Sequence, residues 1–147
     1  MRRDGNGVNG IMGQVVVEFT VANNRDVQKA AEGTLPADRV RRVRLKGLVD
    51  TGANYLVLPE FVATQLDLPA AKPILVRFGD GRLEVRNVVE EARVDLLDRQ
   101  GTFRAIVEPN RTDALIGAIV LEDLDLLVDF SKQALLPRDP QQMHADI

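Results

Sequence analysis

Gly47-Leu48-Val49-Asp50-Thr51-Gly52-Ala53-Asn54 is the stretch on which the reading of this chain turns. Leu48 and Val49 read as the end of a buried strand, and they deliver Asp50 to the start of a tight turn. A carboxyl placed there is pressed toward an interior where charge is expensive. Gly52 lets the chain fold back where a Cβ would clash, and Thr51 can hold its hydroxyl against neighbouring backbone. Such a carboxyl is poised for acid–base chemistry, provided a second group shares its proton. Taken alone, these residues also fit an ordinary strand-to-turn junction in which Asp50 caps local backbone.

Working back from that turn, Val40 to Val49 has strand character, with Val40, Arg42, Arg44 and Lys46 on one face of a regular pleat. The basic group formed by Arg39, Arg41, Arg42, Arg44 and Lys46 reads as a solvated face or a charge-protected edge strand. Gln14 to Ala22 alternates as a strand, and Asp26 to Ala31 allows a short helical turn before a loop over Gly33 to Pro36. Residues 1–13 form a flexible leader rich in Gly and Asn. Its Gly5-x-Gly7-x-x-Gly10 pattern has no strand before it and no helix after it, so it is not a dinucleotide fingerprint.

Forward of the turn, Tyr55 to Leu58 reads as a short strand. Pro59 and Glu60 open a helix that turns Phe61, Val62, Leu66 and Leu68 to the core and ends near Asp67. Pro69 and Pro73 bracket a loop. Ile74 to Phe78 and Leu83 to Val89 make a hairpin around Gly79-Asp80-Gly81, which supplies the positive φ a tight connection needs. Arg93 to Leu97 and Thr102 to Glu108 make a second hairpin around Asp98-Arg99-Gln100-Gly101. After a loop from Pro109 to Asp113 come Ala114-Leu115-Ile116-Gly117, a helical segment over Ala118 to Leu124, a buried strand from Leu126 to Phe130 and another from Gln133 to Leu136. Residues 138–147 read as a polar tail.

Composition narrows the chemistry. A chain of 147 residues fits one domain, and its 45% apolar content with 4% aromatic content calls for an aliphatic core. Cysteine is absent, and Ser131, His144 and Tyr55 are the sole residues of their types, so disulfides, thiolate metal sites and a Ser-His nucleophile have little to work with. The expectation is no metal and no cofactor, with carboxylates as the reagents. A net charge of −3 gives no general attraction for nucleic acid or an anionic membrane. The first residues lack the apolar run of a signal peptide, and the longest apolar run, Ala114 to Leu121, is far short of the ~20 residues that span a bilayer. A soluble, cytoplasmic domain is expected.

From Leu48 to Ala53 the chain resembles the active-site motif of the retropepsin-like aspartic proteases, apolar-apolar-Asp-Thr-Gly-Ala. These are half-length relatives of pepsin that act as homodimers. The order of strand, Asp-Thr-Gly turn, helix, two hairpins, Ile-Gly, helix and strand is similar to that family over residues 14–137. The resemblance implies an all-β fold with one or two short helices, a closed, barrel-like half-pepsin architecture. It implies that Asp50 is the catalytic acid/base, that Thr51 locks two turns together across the dimer, and that Gly52 and Ala53 support the turn. Asn54, Gly79, Asp80 and Gly81 would meet substrate, the last three as the tip of a flap that closes over a peptide. Leu115, Ile116 and Gly117 would run beside the active-site turn and lead into a short helix. Asn54 stands where the family commonly has Ser, Thr or Asp. Arg77 and Arg82 flank the flap tip, where they would favour acidic substrate residues.

Hydrolysing a peptide bond in this way needs two carboxyls sharing one proton. The chain holds one Asp-Thr-Gly, and its nearest echo, Leu127-Val128-Asp129, continues with Phe130 and Ser131. Asp129 therefore reads as a strand-end acid. The second carboxyl is expected from Asp50 of another copy, across a two-fold axis. The function implied is an aspartic endopeptidase acting on peptide or protein. The alternative is a non-catalytic module of the same fold that dimerises or binds peptides.

Overall fold

Strand alternation along Val15–Asn23 (β1) buries Val15, Phe19 and Val21 and turns Val16 and Glu18 outward. The same logic builds β2 (Arg42–Val49), where Leu45 and Val49 are buried while Arg42, Arg44 and Lys46 project into solvent. A computed structural model describes residues 14–147 of the chain. The leader, residues 1–13, and its glycine pattern lie outside the described residues. The further elements are α1 (Asn24–Ala31), β3 (Leu56–Pro59), α2 (Glu60–Gln65), β4 (Ala70–Arg77), β5 (Leu83–Leu96), β6 (Arg99–Glu108), β7 (Ala114–Ile116), α3 (Ala118–Asp123), β8 (Leu126–Asp129) and β9 (Ala134–Pro137). A 3₁₀ turn covers Ala37–Arg39.

Six strands close on themselves in the order β1-β2-β7-β3-β6-β5, because β1 pairs with β5 as well as with β2. The protein is thus an all-β barrel carrying three short helices, one more than the one or two expected. Closure removes the sheet edges within the ring of six strands. The barrel encloses an aliphatic core in which Phe19, Leu56, Leu58, Leu66, Leu96, Ile116 and Leu124 are almost wholly shielded from water. β4 lies outside the ring as an edge strand on β5, and β8 and β9 form a separate two-stranded sheet. Among the described residues no helix is long and apolar enough to cross a membrane.

Several expected boundaries move for physical reasons. From Ala70 through Pro73 the region expected to be loop is strand. Edge strand β4 accommodates Pro73 at a register shift between Ala71 and Ile74, where the missing N–H breaks no ladder bond. Both expected hairpins share one 14-residue strand, β5, which bends at a register shift between Val89 and Ala92 with Glu91 at φ 63°. The second connection is a two-residue turn, Leu97-Asp98, with φ 51° and 60°, rather than Asp98 to Gly101. Gly101 instead sits within β6, where a Cβ would come within 2.7 Å of Asp123 Oδ2 and 2.9 Å of the Phe103 ring. Phe61, expected in the core, is exposed, as are Leu127 and Phe130 of the segment expected to be a buried strand.

A polar joint ties the helices to the barrel. Asn23 caps α1 by accepting from the Asp26 N–H (3.1 Å), while its Nδ2 donates to the Leu66 carbonyl beyond α2 (2.8 Å). Buried Asp26 accepts from Arg41 Nε and Nη2 at 2.8 and 2.9 Å and from the Arg41 backbone N–H at 3.1 Å. The Arg41 guanidinium beside it holds the Asp26 carboxyl down at about 2. At the far end, buried Arg99 donates to the carbonyls of Leu124, Asp125 and Asp139, satisfying the C-terminal end of α3. The polar tail follows this corner, with the His144 N–H on Asp125 Oδ2 (2.8 Å).

Candidate active site

The Asp50 turn is assembled by a strand that arrives late in the sequence. β7 pairs in parallel with β2, Leu48 opposite Leu115 and Val49 opposite Ile116, and touches β3 on its other side through Val57 and Leu115. It therefore runs between the strand that enters the turn and the strand that leaves it. This close passage depends on Gly47, where a Cβ would lie 2.6 Å from Ile116 Cδ1 and 2.8 Å from Phe19 Cε1. Gly117 is tighter still. A Cβ there would strike the carbonyl oxygen of Tyr55 and come within 2.7 Å of that of Ala53, both of them backbone atoms.

Hydrogen bonds fix the turn from both sides. The Asp50 N–H donates to the Ile116 carbonyl (3.0 Å), and the Ala53 N–H donates back to the Asp50 carbonyl (3.1 Å). The first N–H groups of α3 hold the loop beyond, Ala118 on the Ala53 carbonyl (2.8 Å) and Ile119 on the Asn54 carbonyl (3.0 Å). The Gly52 N–H donates to Asp50 Oδ1 (3.0 Å), the one hydrogen bond to this carboxylate from the described residues. Asp50 is half-buried in the single chain rather than enclosed, so Oδ2 is left to whatever enters beside it.

A cleft of about 870 Å³ opens at this carboxylate. Asp50, Gly52, Ala53, Asn54 and Tyr55 line it together with Ile74 to Arg77 of β4 and with Phe78 and Gly79 just beyond that strand. Ile106, Glu108, Asn110, Arg111 and Leu115 complete it, with Arg82 and Arg86 from β5 and the connection before it. Of the site residues expected from sequence, Asp50, Gly52, Ala53, Asn54, Gly79 and Leu115 are brought together here. Ile116 and Gly117 are buried behind the turn, and Thr51 is exposed beside it. Asp80 and Gly81, expected on substrate, do not line the cleft. They belong to the five-residue connection from Phe78 to Arg82, in which Gly81 takes φ 90° and its N–H donates to the Phe78 carbonyl (2.9 Å).

Sequence reasoning missed the ionic floor of the hairpin. Arg86 pairs with Glu84 and with Glu108, each at 2.9 Å, and Arg82 pairs with Asp80 at 2.9 Å and with Glu84. Both guanidinium groups approach Phe78, Arg82 at 4.4 Å and Arg86 at 5.2 Å from the ring centroid. The Arg82 backbone and side-chain donors hold the Asp80 carboxyl below the usual carboxylate range. The Arg86–Glu108 pair was legible only through strand register, since Val88 stands opposite Ile106 and two residues onward the same ladder brings Arg86 to Glu108. Asp129, the echo of the motif, accepts from Ser131 Oγ (2.7 Å) and the Lys132 N–H (3.1 Å) at the β8–β9 connection and does not line the cleft.

Among the described residues the cleft's acids are therefore Asp50 and Glu108, and Glu108 is held by Arg86. Among the described residues no cluster of three or more His, Cys, Asp or Glu side chains is placed to hold a metal ion. Compared with known protein families and with curated proteins, the sequence finds no match in either.

Proposed function

We propose that this chain is a retropepsin-like aspartic endopeptidase whose active site is completed by Asp50 of a second copy. The observation that carries the reading is the Asp50 carboxylate, fixed by backbone on one oxygen, in a cleft of about 870 Å³ that the β4–β5 hairpin also lines. Among the described residues the sole other acid lining that cleft is paired with Arg86, so they offer one uncommitted carboxylate.

In the dimer the two Asp50 carboxyls share a proton. The ionised one takes a proton from water as the water oxygen attacks the scissile carbonyl, and the protonated one donates to the developing oxyanion. Collapse of the tetrahedral intermediate breaks the C–N bond as a proton reaches the leaving nitrogen. Two carboxylates about 4 Å apart repel by roughly 4 kcal/mol at an effective dielectric of 20, on the order of three pKa units. Two separated ionisations follow, and activity belongs to the pH interval between them. Below it no base remains to activate water, and above it no acid remains to protonate the oxyanion.

The test is cleavage of casein and of a mixed peptide library between about pH 4 and pH 7, with Asp50→Asn and Glu108→Gln beside the wild type. The proposal expects a bell-shaped profile, loss of at least about a thousandfold in Asp50→Asn, and retained cleavage in Glu108→Gln. Equal cleavage by the wild type and Asp50→Asn would end the protease reading. Peptide binding without cleavage would favour the non-catalytic module.

A further inference from the structure

The arginines facing the cleft divide into two kinds. Arg82 and Arg86 are already neutralised, the first by Asp80 and Glu84, the second by Glu84 and Glu108. Arg77 and Arg111 line the same cleft and form no ion pair among the described residues. Arg111 Nε donates only to the Asp113 carbonyl (2.9 Å). Apolar Ile74, Val76, Ile106 and Leu115 form another part of the same cleft wall.

A ligand that covers this wall shields both guanidinium groups from water, and a shielded charge without a counter-charge is unfavourable. A carboxylate supplies the counter-charge and matches the planar fork of an arginine. Resting on the reading of the cleft as a peptide site, we propose that it selects extended peptide segments that combine Asp or Glu side chains with apolar ones, with Arg77 and Arg111 receiving the carboxylates. A nucleic acid strand fits less well, because its phosphates would pass Asp50 and Glu108 in a chain of net charge −3.

The test uses three fluorescent peptides sharing one apolar centre and carrying Glu, Gln or Lys on both sides. Binding is measured by anisotropy on Asp50→Asn, which presents the cleft without turnover, and cleavage on the wild type. The Glu peptide should bind about tenfold more tightly than the Gln peptide, with the Lys peptide weakest and the preference shrinking as salt rises. In Arg77→Gln/Arg111→Gln the Glu-to-Gln ratio should fall toward one, and in Arg77→Glu/Arg111→Glu the order should invert. Equal binding of Glu and Gln peptides, a ratio unchanged in the double variants, or displacement of the Glu peptide by an equimolar single-stranded oligonucleotide would overturn the proposal. Cleavage of all three peptides at equal rates would overturn it while leaving the protease reading intact. Selective binding of the Glu peptide with no cleavage by the wild type would support it and sink the protease reading.

Discussion

Asp50 and Gly117 illustrate how much a single position carries. The Asp50 side chain is aimed by one hydrogen bond from Gly52 and by a backbone that β7 grips from behind. Gly117 makes that grip feasible, since a methyl group there meets carbonyl oxygens of the very loop that holds Asp50. Backbone atoms of a loop pinned by the Ala118 and Ile119 N–H groups cannot swing aside as a side chain would. Gly117→Ala is therefore expected to destabilise the protein by about 1–3 kcal/mol and to abolish cleavage, measured as a lower denaturant midpoint beside the activity assay. A variant of unchanged stability and activity would show that the loop is free to relax. The Leu48–Ala53 motif was legible in the sequence because it is contiguous. The glycine requirement at Gly117 was not, because it arises from residues more than sixty positions upstream.

At the scale of elements, short-range signals were read well and long-range ones poorly. The Gly79-Asp80-Gly81 connection was found because positive φ leaves a local mark in the sequence. The Leu97-Asp98 turn takes the same backbone region with neither glycine nor asparagine, so tertiary pairing of β5 with β6 imposes it and local sequence does not. Gly101 misled for the converse reason, being small for packing against Asp123 and Phe103 rather than for turning.

The joint between α1, β2 and α2 was also invisible beforehand. Arg41 stands in a basic run that reads as solvated, yet it binds buried Asp26 through side chain and backbone. Asp26→Asn should lower stability by about 2 kcal/mol, nearer the low end for such bonds because Arg41 is itself 45% exposed. The folded Asp26 pKa of about 2 lies below its ordinary 3.8, so its contribution is complete above about pH 4 and lost as pH falls toward 2. Denaturant midpoints of the wild type and Asp26→Asn should accordingly differ at neutral pH and converge below about pH 2. A gap that persisted in acid would assign the loss to packing instead.

The described residues form a closed barrel with one uncommitted acid in its cleft, and that combination explains why function is referred to an assembly. The fold class was legible because strand periodicity and turn chemistry recur along the chain. A closed barrel was expected from the resemblance, but that the β1–β5 pairing closes it was not legible, since no local pattern states which strands meet. The direct test of the shared site is to mix wild-type subunits with Asp50→Asn subunits, allow exchange, and follow cleavage as the wild-type fraction falls. If one active site needs Asp50 from both copies, activity should fall with the square of that fraction, to about a quarter at an equal mixture. A linear fall, to about half, would mean that each chain works alone and would contradict the account.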